Sequence, residues 1–580
     1  MNSLHPGLIL ILTGVITLLI PDKRIRNSVA LLGAVFAFFS FWMLEKDASL
    51  QYVFISGITF DLLRIDGLSW IFGLIFSLIA VICGIYSQGT TCRGEKCASL
   101  IYAGSSIGVV LAGDWISFIC FWEMMAVASC YLVWAGKTQD AVRASYRYLV
   151  FHLVGGNLLL AGTVLLCAGG NFSVELIGEP TSLGPWLIFL GVAINAAMPP
   201  FHTWAKDAYP ESTPSGTVYM GSFTTKVAIY ALIRLFAGTQ WLVPLGAVMA
   251  VFGACMALLE NDLRRLLSYH IVSQLGMMIA ALGTGLAEGI DGAALHGAYN
   301  ILYKGVLLMG AGAIFTVTGK RKISDLAGLY RKMPLTAICF LIGSLAIAGM
   351  PLLNGFTSKA LIMDALHNGH FTFSYWMVTL AGVGTWLSIT LKINYFVFFR
   401  KEEKAFSCKN VPIHMQAAMV VCTGLCIITG LFPQTFYGLT PFGTTAHPFT
   451  FEHIAEYAAL FIGATGAFIL FRKRMEPHDV ITLDVDWIYR RPFVQLLMWC
   501  SNLVHAFFVR ADKGFSHYTA VVKYIIKHPA GLFRDIGALK GELMEEDEEG
   551  AFEGDMPVGA FMQIFIVFCI VAFIVILILE

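Results

Sequence analysis

Charge is the scarcest commodity in this chain of 580 residues. Only 13% of it is Asp, Glu, Lys or Arg, about half the share found in soluble domains. The two signs balance at 38 residues each, so no basic excess points to nucleic acid. Paired cysteine chemistry is missing as well. The thirteen cysteines are scattered, with Cys83, Cys120, Cys167, Cys255 and Cys339 inside apolar runs and Cys422 and Cys426 one helical turn apart. No C-x-x-C pair and no Cys/His cluster has the spacing of a zinc or iron–sulfur site. There is no P-loop and no dinucleotide fingerprint. The sequence therefore implies no cofactor and no covalent chemistry of its own; any electron transfer must sit in a partner. The N-terminal "MNSLHPGLILILTGVITLLIPDKRIR" carries its positive charge after the apolar run, the reverse of a signal peptide, and reads as a retained first span.

What the chain has in abundance is long apolar sequence. It is 57% hydrophobic, with a mean hydropathy of +0.73. Apolar runs of about 18 residues or more, each enough to cross ~30 Å of hydrocarbon, recur throughout. A transmembrane β-barrel would show alternating segments of about ten residues instead. The expected fold is an all-α polytopic membrane protein of about sixteen transmembrane helices. Loop charge supports the assignment, because Lys and Arg collect in cytoplasmic loops. Loops of one parity hold Lys23, Arg24 and Arg26; Arg93 and Lys96; Lys137, Arg143 and Arg147; Arg264 and Arg265; Lys320, Arg321, Lys322, Arg331 and Lys332; and Arg400, Lys401, Lys404 and Lys409. The opposite loops 169–182, 286–292, 367–374 and 433–452 hold neither residue, and only Lys46 and Arg64 stand on that side. The N-terminus is thus expected outside.

Two spans are interrupted. The seventh, 183–207, contains Pro199 and Pro200; the twelfth, 334–366, contains Gly349, Met350, Pro351 and Gly355. They are five spans apart, an odd offset, so they run in opposite directions. That is the expectation for two inverted five-helix repeats, 97–237 and 241–400, each with a broken helix, near 199 and near 351. Broken helices at matching places in inverted halves point to an ion or substrate path near the midplane; a pair of ordinary proline kinks is the bland alternative. Around the repeats, 1–96 supplies N-terminal helices and 411–471 additional spans. Residues 472–558 form a cytoplasmic or interfacial segment, including an amphipathic stretch at 497–510 and an acidic run at 545–550. Residues 559–579 read as a C-terminal transmembrane helix.

Ionisable residues inside spans are costly and so informative. Glu123 lies near the middle of the fifth span. Lys226, Lys304, Lys359 and Lys392 lie in the eighth, eleventh, twelfth and thirteenth, and His270 and His296 add titratable groups. Burial lowers a lysine's affinity for its proton and a nearby carboxylate restores it, so a row of such groups can relay protons. Lys226 and Lys304 have about ten apolar neighbours on each side, which argues against snorkelling. Lys392 is eight residues from Arg400, so snorkelling explains it equally well. Lys359 also suits a helix-terminus cap, His270 a packed core histidine, and Arg234 an interfacial position.

The stretches "NAAMPPFHTWAKDAYPESTPSG", "NDLRRLLSYHIVSQLGMM", "LHGAYNILYKGVLLMGAGAIF", "KISDLAGLYRKMPLTA" and "AGMPLLNGFTSKALI" together resemble the antiporter-like subunits of respiratory complex I, Mrp cation/proton antiporters and membrane-bound hydrogenases. The likeness runs from about residue 60 to 400. The tail "ITLDVDWIYRRP", with "GTWLSITLKINYFVFF", leans toward Mrp D-type subunits. The resemblance implies a proton relay through Glu123, Lys226, Lys304 with His296, and Lys359. It implies H⁺ and Na⁺ as the ions, other membrane subunits as partners, and a prokaryotic inner membrane. It also implies a lysine in the seventh span, paired with the glutamate; Asn195 stands there instead. A Glu123–Lys226 pair is one replacement for that switch; an inactive first half-channel, or one that conducts something other than a proton, is another. Three readings follow: an ion-translocating member of a larger complex, a stand-alone secondary transporter, and a structural paralogue that seals a membrane arm.

Overall fold

A polar backbone cannot be left unpaired in hydrocarbon, so a chain this apolar must satisfy itself within helices. A computed structural model describes residues 4–46, 48–53, 59–401, 409–478 and 484–527. Among these, ten helices are long and apolar enough to cross a membrane, and Pro6–Leu19, Leu183–Asn195 and Pro334–Ala348 are shorter apolar helices. The expected C-terminal span, 559–579, and the acidic run at 545–550 lie outside the described residues. The chain divides into two units, Met1–Thr482 and Leu483–Glu580. In the second, the amphipathic stretch expected at 497–510 is part of a longer helix, Pro492–Lys527, whose Trp499 and Phe507 are exposed.

Short polar residues set the helix starts. Asp114 accepts from the Ile116 and Ser117 amides, both at 2.9 Å, and so begins Trp115–Trp134. Asp262 accepts from the Arg264 and Arg265 amides at 2.9 and 3.0 Å and begins Leu263–Gly283. These are N-caps, and each also bridges to a distant loop, Asp114 to Ser173 and Asp262 to Lys322.

Ion pairs tie loops of the same expected side together. Arg147 bonds Asp207 at 3.1 Å, Arg321 bonds Glu211 at 2.8 Å and also Asp262, and Arg400 bonds Glu476 at 3.0 Å; all belong to the basic side. At the opposite end Arg234 clasps Asp66 with bonds of 2.5 and 2.8 Å. Burial pushes the Asp66 carboxyl up, but the Arg234 hydrogen bond and charge outweigh it and hold it at about 2.

The structure corrects the sequence expectation in four places. The loop before residue 65 holds an antiparallel hairpin, Ser49–Val53 with Thr59–Arg64, so the fold is not purely helical. The hairpin is anchored where the Asp61 amide donates to the Asp114 carboxylate at 2.9 Å. The seventh span is a helix Leu183–Asn195 followed by Thr203–Glu211, and the twelfth is Pro334–Ala348 followed by Asn354–Asn368. Gly355 is therefore not in the second break. It lies inside the following helix, where a Cβ would stand 1.8 Å from the Ala346 carbonyl oxygen; only glycine permits that approach. The eighth span is also interrupted, into Pro214–Ser222 and Thr224–Phe236 around Phe223, although it has no internal proline. The thirteenth changes from an α-helix, Thr372–Thr385, to a π-helix, Trp386–Phe399.

Candidate functional site: a line of buried lysines

Lys226, Lys304, Lys359 and Lys392 are all buried, and what holds each ammonium differs. The interruption at Phe223 exposes the end of Pro214–Ser222, and the Lys226 ammonium donates to the Gly221 carbonyl there at 2.7 Å. Lys359 donates to the Ile347 and Ala348 carbonyls at 2.7 and 3.2 Å, the last ones of Pro334–Ala348. Gly349, at φ +91°, ends that helix in the left-handed region and presents them. Lys392 donates to the Leu258 and Glu260 carbonyls at 2.7 and 2.9 Å, at the end of Leu242–Leu259. Three lysines thus sit on the negative ends of helix dipoles, where unpaired carbonyls and a cation satisfy each other.

Lys304 is different. It lies within Ala287–Thr318, fully buried, and its ammonium nitrogen has no hydrogen-bond partner among the described residues. Lys226 is within electrostatic reach of it. An unpartnered buried ammonium is expensive, so such groups mark hydrated or proton-exchanging sites.

The same helix also carries a polar cluster built on His296 and Tyr303. His296 Nδ1 lies 2.9 Å from Ser358 Oγ, next to Lys359 in sequence. Its Nε2 lies 3.1 Å from Gln274 Oε1 and 3.2 Å from the Tyr303 hydroxyl. Asn300 donates to the same hydroxyl at 3.0 Å. His270 Nε2 lies 2.7 Å from Ser388 Oγ, within electrostatic reach of Lys304, Lys359 and Lys392; its other ring nitrogen has no partner among the described residues. His270 is therefore a neighbour of three lysines as well as a packed histidine.

The first half is arranged differently. Glu123 is half-buried against Gly156, where a Cβ would stand 1.7 Å from its Oε1. Ile194, preceding Asn195, faces the adjacent Gly155, where a Cβ would stand 3.4 Å from it. The glutamate and the helix bearing Asn195 thus meet one glycine pair. Asn195 is fully buried, and neither polar atom of its side chain has a partner among the described residues. Glu123 makes no ion pair with Lys226, whose ammonium is on Gly221. Pro199 and Pro200 lie in the turn between the two helix halves, and Pro351 in the corresponding turn of the second break.

A hydroxyl chain that the sequence did not reveal lies close by. Ser129 and Tyr148 are 2.7 Å apart, Tyr148 and Thr224 3.4 Å, Thr224 and Tyr102 2.6 Å, and Lys226 follows Thr224 by two residues. Buried His152 stacks on Tyr148 at 3.9 Å and meets Trp204 edge-on at 4.6 Å. The only sequence signal was a lone histidine inside an apolar span.

A multi-span helical membrane protein with broken helices and an internal row of lysines is the class that this fold and site define. The family model described as NADH:quinone oxidoreductase/Mrp antiporter, transmembrane, matches residues 112–388. An uncharacterised protein of Methanocaldococcus jannaschii is 30% identical over 62% of this chain and 79% of its own length. The chain belongs to this family of membrane proteins. The A1 component of the Na⁺/H⁺ antiporter of Staphylococcus haemolyticus is 30% identical over 71% of this chain and 57% of its own length. The A/B component of a probable K⁺/H⁺ antiporter of Rhizobium meliloti is 28% identical over 67% of this chain and 42% of its own length. The chain thus spans about half the length of these two antiporter relatives. Its fold matches a chain of the Mrp complex of a Dietzia species (TM-score 0.67, 21% identity, covering 80% of this chain and 98% of that one). It also matches a chain of Thermus thermophilus respiratory complex I (TM-score 0.68, 23% identity, covering 79% and 99%).

Proposed function

We propose that this chain is a cation/proton antiporter-like component of a multi-subunit membrane assembly in a prokaryotic cell membrane, moving H⁺, coupled to Na⁺. The observation that carries the reading is Lys304: fully buried, unpartnered among the described residues, and within electrostatic reach of Lys226 and His270. In this reading a proton passes between Lys226, Lys304 and Lys359 through His296, His270 and the waters that such polar groups hold, with Lys392 at the inner end. Both antiporter relatives support H⁺, and the Staphylococcus haemolyticus one supports Na⁺ as the counter-ion. No bond other than N–H or O–H is made or broken. The test is whether ion movement stops when the Lys304 amine is removed.

The chain is read as about sixteen spans containing two inverted five-helix repeats, 97–237 and 241–400. Several matching features support it. Each repeat has an aspartate that caps a helix and bridges to a loop, Asp114 and Asp262. Each has a broken helix, followed by a span that is itself irregular, at Phe223 in one and at 386–399 in the other. In each, that irregular span carries a lysine, Lys226 or Lys392, that takes a helix-terminal carbonyl.

The paralogue reading draws on Asn195, whose amide cannot carry a proton in place of the lysine. Glu123 and the helix that bears Asn195 nevertheless pack on the same helix, at Gly156 and Gly155. Asn195→Lys is expected to pair with Glu123 and to raise proton movement measurably in membrane vesicles. Unchanged flux in a variant that assembles normally identifies the first half as a sealed, structural copy.

A further inference from the structure

Lys359 lies in Asn354–Asn368, which ends at a loop expected outside, and the polar line described so far gives it no outlet. Two cavities supply one. The first, of about 30 Å³, is lined by Lys359, Met277, Thr379, Glu456, Tyr457 and apolar neighbours. That volume is enough for one or two waters. The second, of about 710 Å³, is open and lined by His367, His370, Tyr375, Glu452 and Glu456 among others. Thr379, Glu456 and Leu460 belong to both, so the cavities adjoin at a neck between Thr372–Thr385 and Phe451–Phe471.

We propose that this neck is the outer mouth of the ion path, and that Glu456 is the relay group between Lys359 and the open vestibule. The proposal rests on the reading of Lys304 and Lys359 given above. Three observations point to it beyond the cavities. Gly349 lies between Lys359 and the Phe451–Phe471 helix: a Cβ there would stand 3.2 Å from Lys359 Cδ and 3.0 Å from Tyr457 Cε1. Only a glycine thus separates that helix from the lysine's stem at the break. Glu456 is oriented by the Tyr375 hydroxyl, which donates to it at 2.9 Å, so the carboxylate has a fixed place in the neck. One turn nearer the outer end, His453 Nε2 lies 2.9 Å from Asp364, joining the same helix to the one that carries Lys359. The vestibule wall thus bears acidic side chains, which favour a proton or a cation over an anion.

The step balances simply. The Lys359 ammonium gives a proton to water in the small cavity, that water gives one to the Glu456 carboxylate, and the resulting carboxylic acid releases it to vestibule water. Lys359 is left as the neutral amine, ready to be reprotonated from the Lys304 side.

The experiment uses vesicles from cells carrying the full chain in its own assembly. Glu456→Gln, Glu456→Asp and Lys304→Ala are compared for proton movement with a pH-sensitive dye. The glutamine can still accept the Tyr375 bond but cannot take up a proton. Expected is a loss of at least tenfold for Glu456→Gln, with most activity kept by Glu456→Asp. Normal flux in Glu456→Gln while Lys304→Ala is inactive overturns the outlet and leaves the relay standing; normal flux in Lys304→Ala overturns the relay itself. If Glu456→Gln assembles poorly, Thr379→Cys decides. Labelling of that cysteine from the outer side by a charged, membrane-impermeant thiol reagent, above the background of the unsubstituted chain, supports the mouth, and no labelling overturns it.

Discussion

Lys304→Ala is expected to lower ion translocation about a hundredfold or more, the lower end of what a positioned proton-transfer group contributes, with no loss of assembled protein. The two halves of that expectation have separate causes. Flux falls because the relay loses the group between Lys226 and the Lys359 break. Stability holds because the Lys304 ammonium has no partner among the described residues, so its removal strands no carbonyl or carboxylate there. It also relieves the chain of a buried charge that is costly to desolvate. The measurements are dye-reported pH change in vesicles, and the yield and melting temperature of the purified assembly. Normal flux would remove Lys304 from the path. Flux lost together with the assembly would make the residue structural.

Lys359→Ala is expected to abolish flux to a similar degree but with a different stability signature. Its ammonium caps the Ile347 and Ala348 carbonyls, and truncation leaves both buried and unpaired, a cost of about 2 kcal/mol. Lys359→Arg separates the two roles. A guanidinium can restore the cap, yet it does not give up a proton in proteins. That variant is expected to melt like the parent protein and to remain inactive. Thermal stability in detergent and flux in vesicles, measured on both variants, check the pair. Working transport by Lys359→Arg would show that this position holds charge without exchanging it.

How much of this was legible in the sequence depended on whether the cause was local. Proline and glycine announce a broken helix by themselves, so the interruptions near Pro199 and Pro351 were readable. Glu123, Lys226 and Lys304 stood out because a charge deep in an apolar run is costly, whereas Lys359 and Lys392 also had ordinary readings as a helix cap and a snorkelling residue. Gly355 misled, because a glycine required for close helix approach looks the same in sequence as one that ends a helix. The break at Phe223 and the π-helix at 386–399 carry no proline, and hydrophobic periodicity does not report them. The caps on Lys226 and Lys392 were invisible for a related reason, whereas a helix-terminus cap was among the sequence readings of Lys359. Each carbonyl comes from a helix end, and for Lys392 that end is more than a hundred residues away in sequence. Lys304 could be singled out only once its three counterparts were seen to be partnered. The hydroxyl chain through Tyr148, Thr224 and Tyr102 joins three separate helices and has no one-dimensional pattern.

Whether this chain moves ions within a larger membrane assembly is tested most directly by purification in mild detergent. The chains that accompany it are identified, and the preparation is reconstituted into vesicles with a pH-sensitive dye inside. Expected is co-purification with other membrane proteins, and a pH change on imposing a Na⁺ gradient or the driving reaction of those partners. The change is expected to be absent when Lys304→Ala replaces the parent chain. A chain that purifies alone and moves ions or a small solute unaided would contradict it.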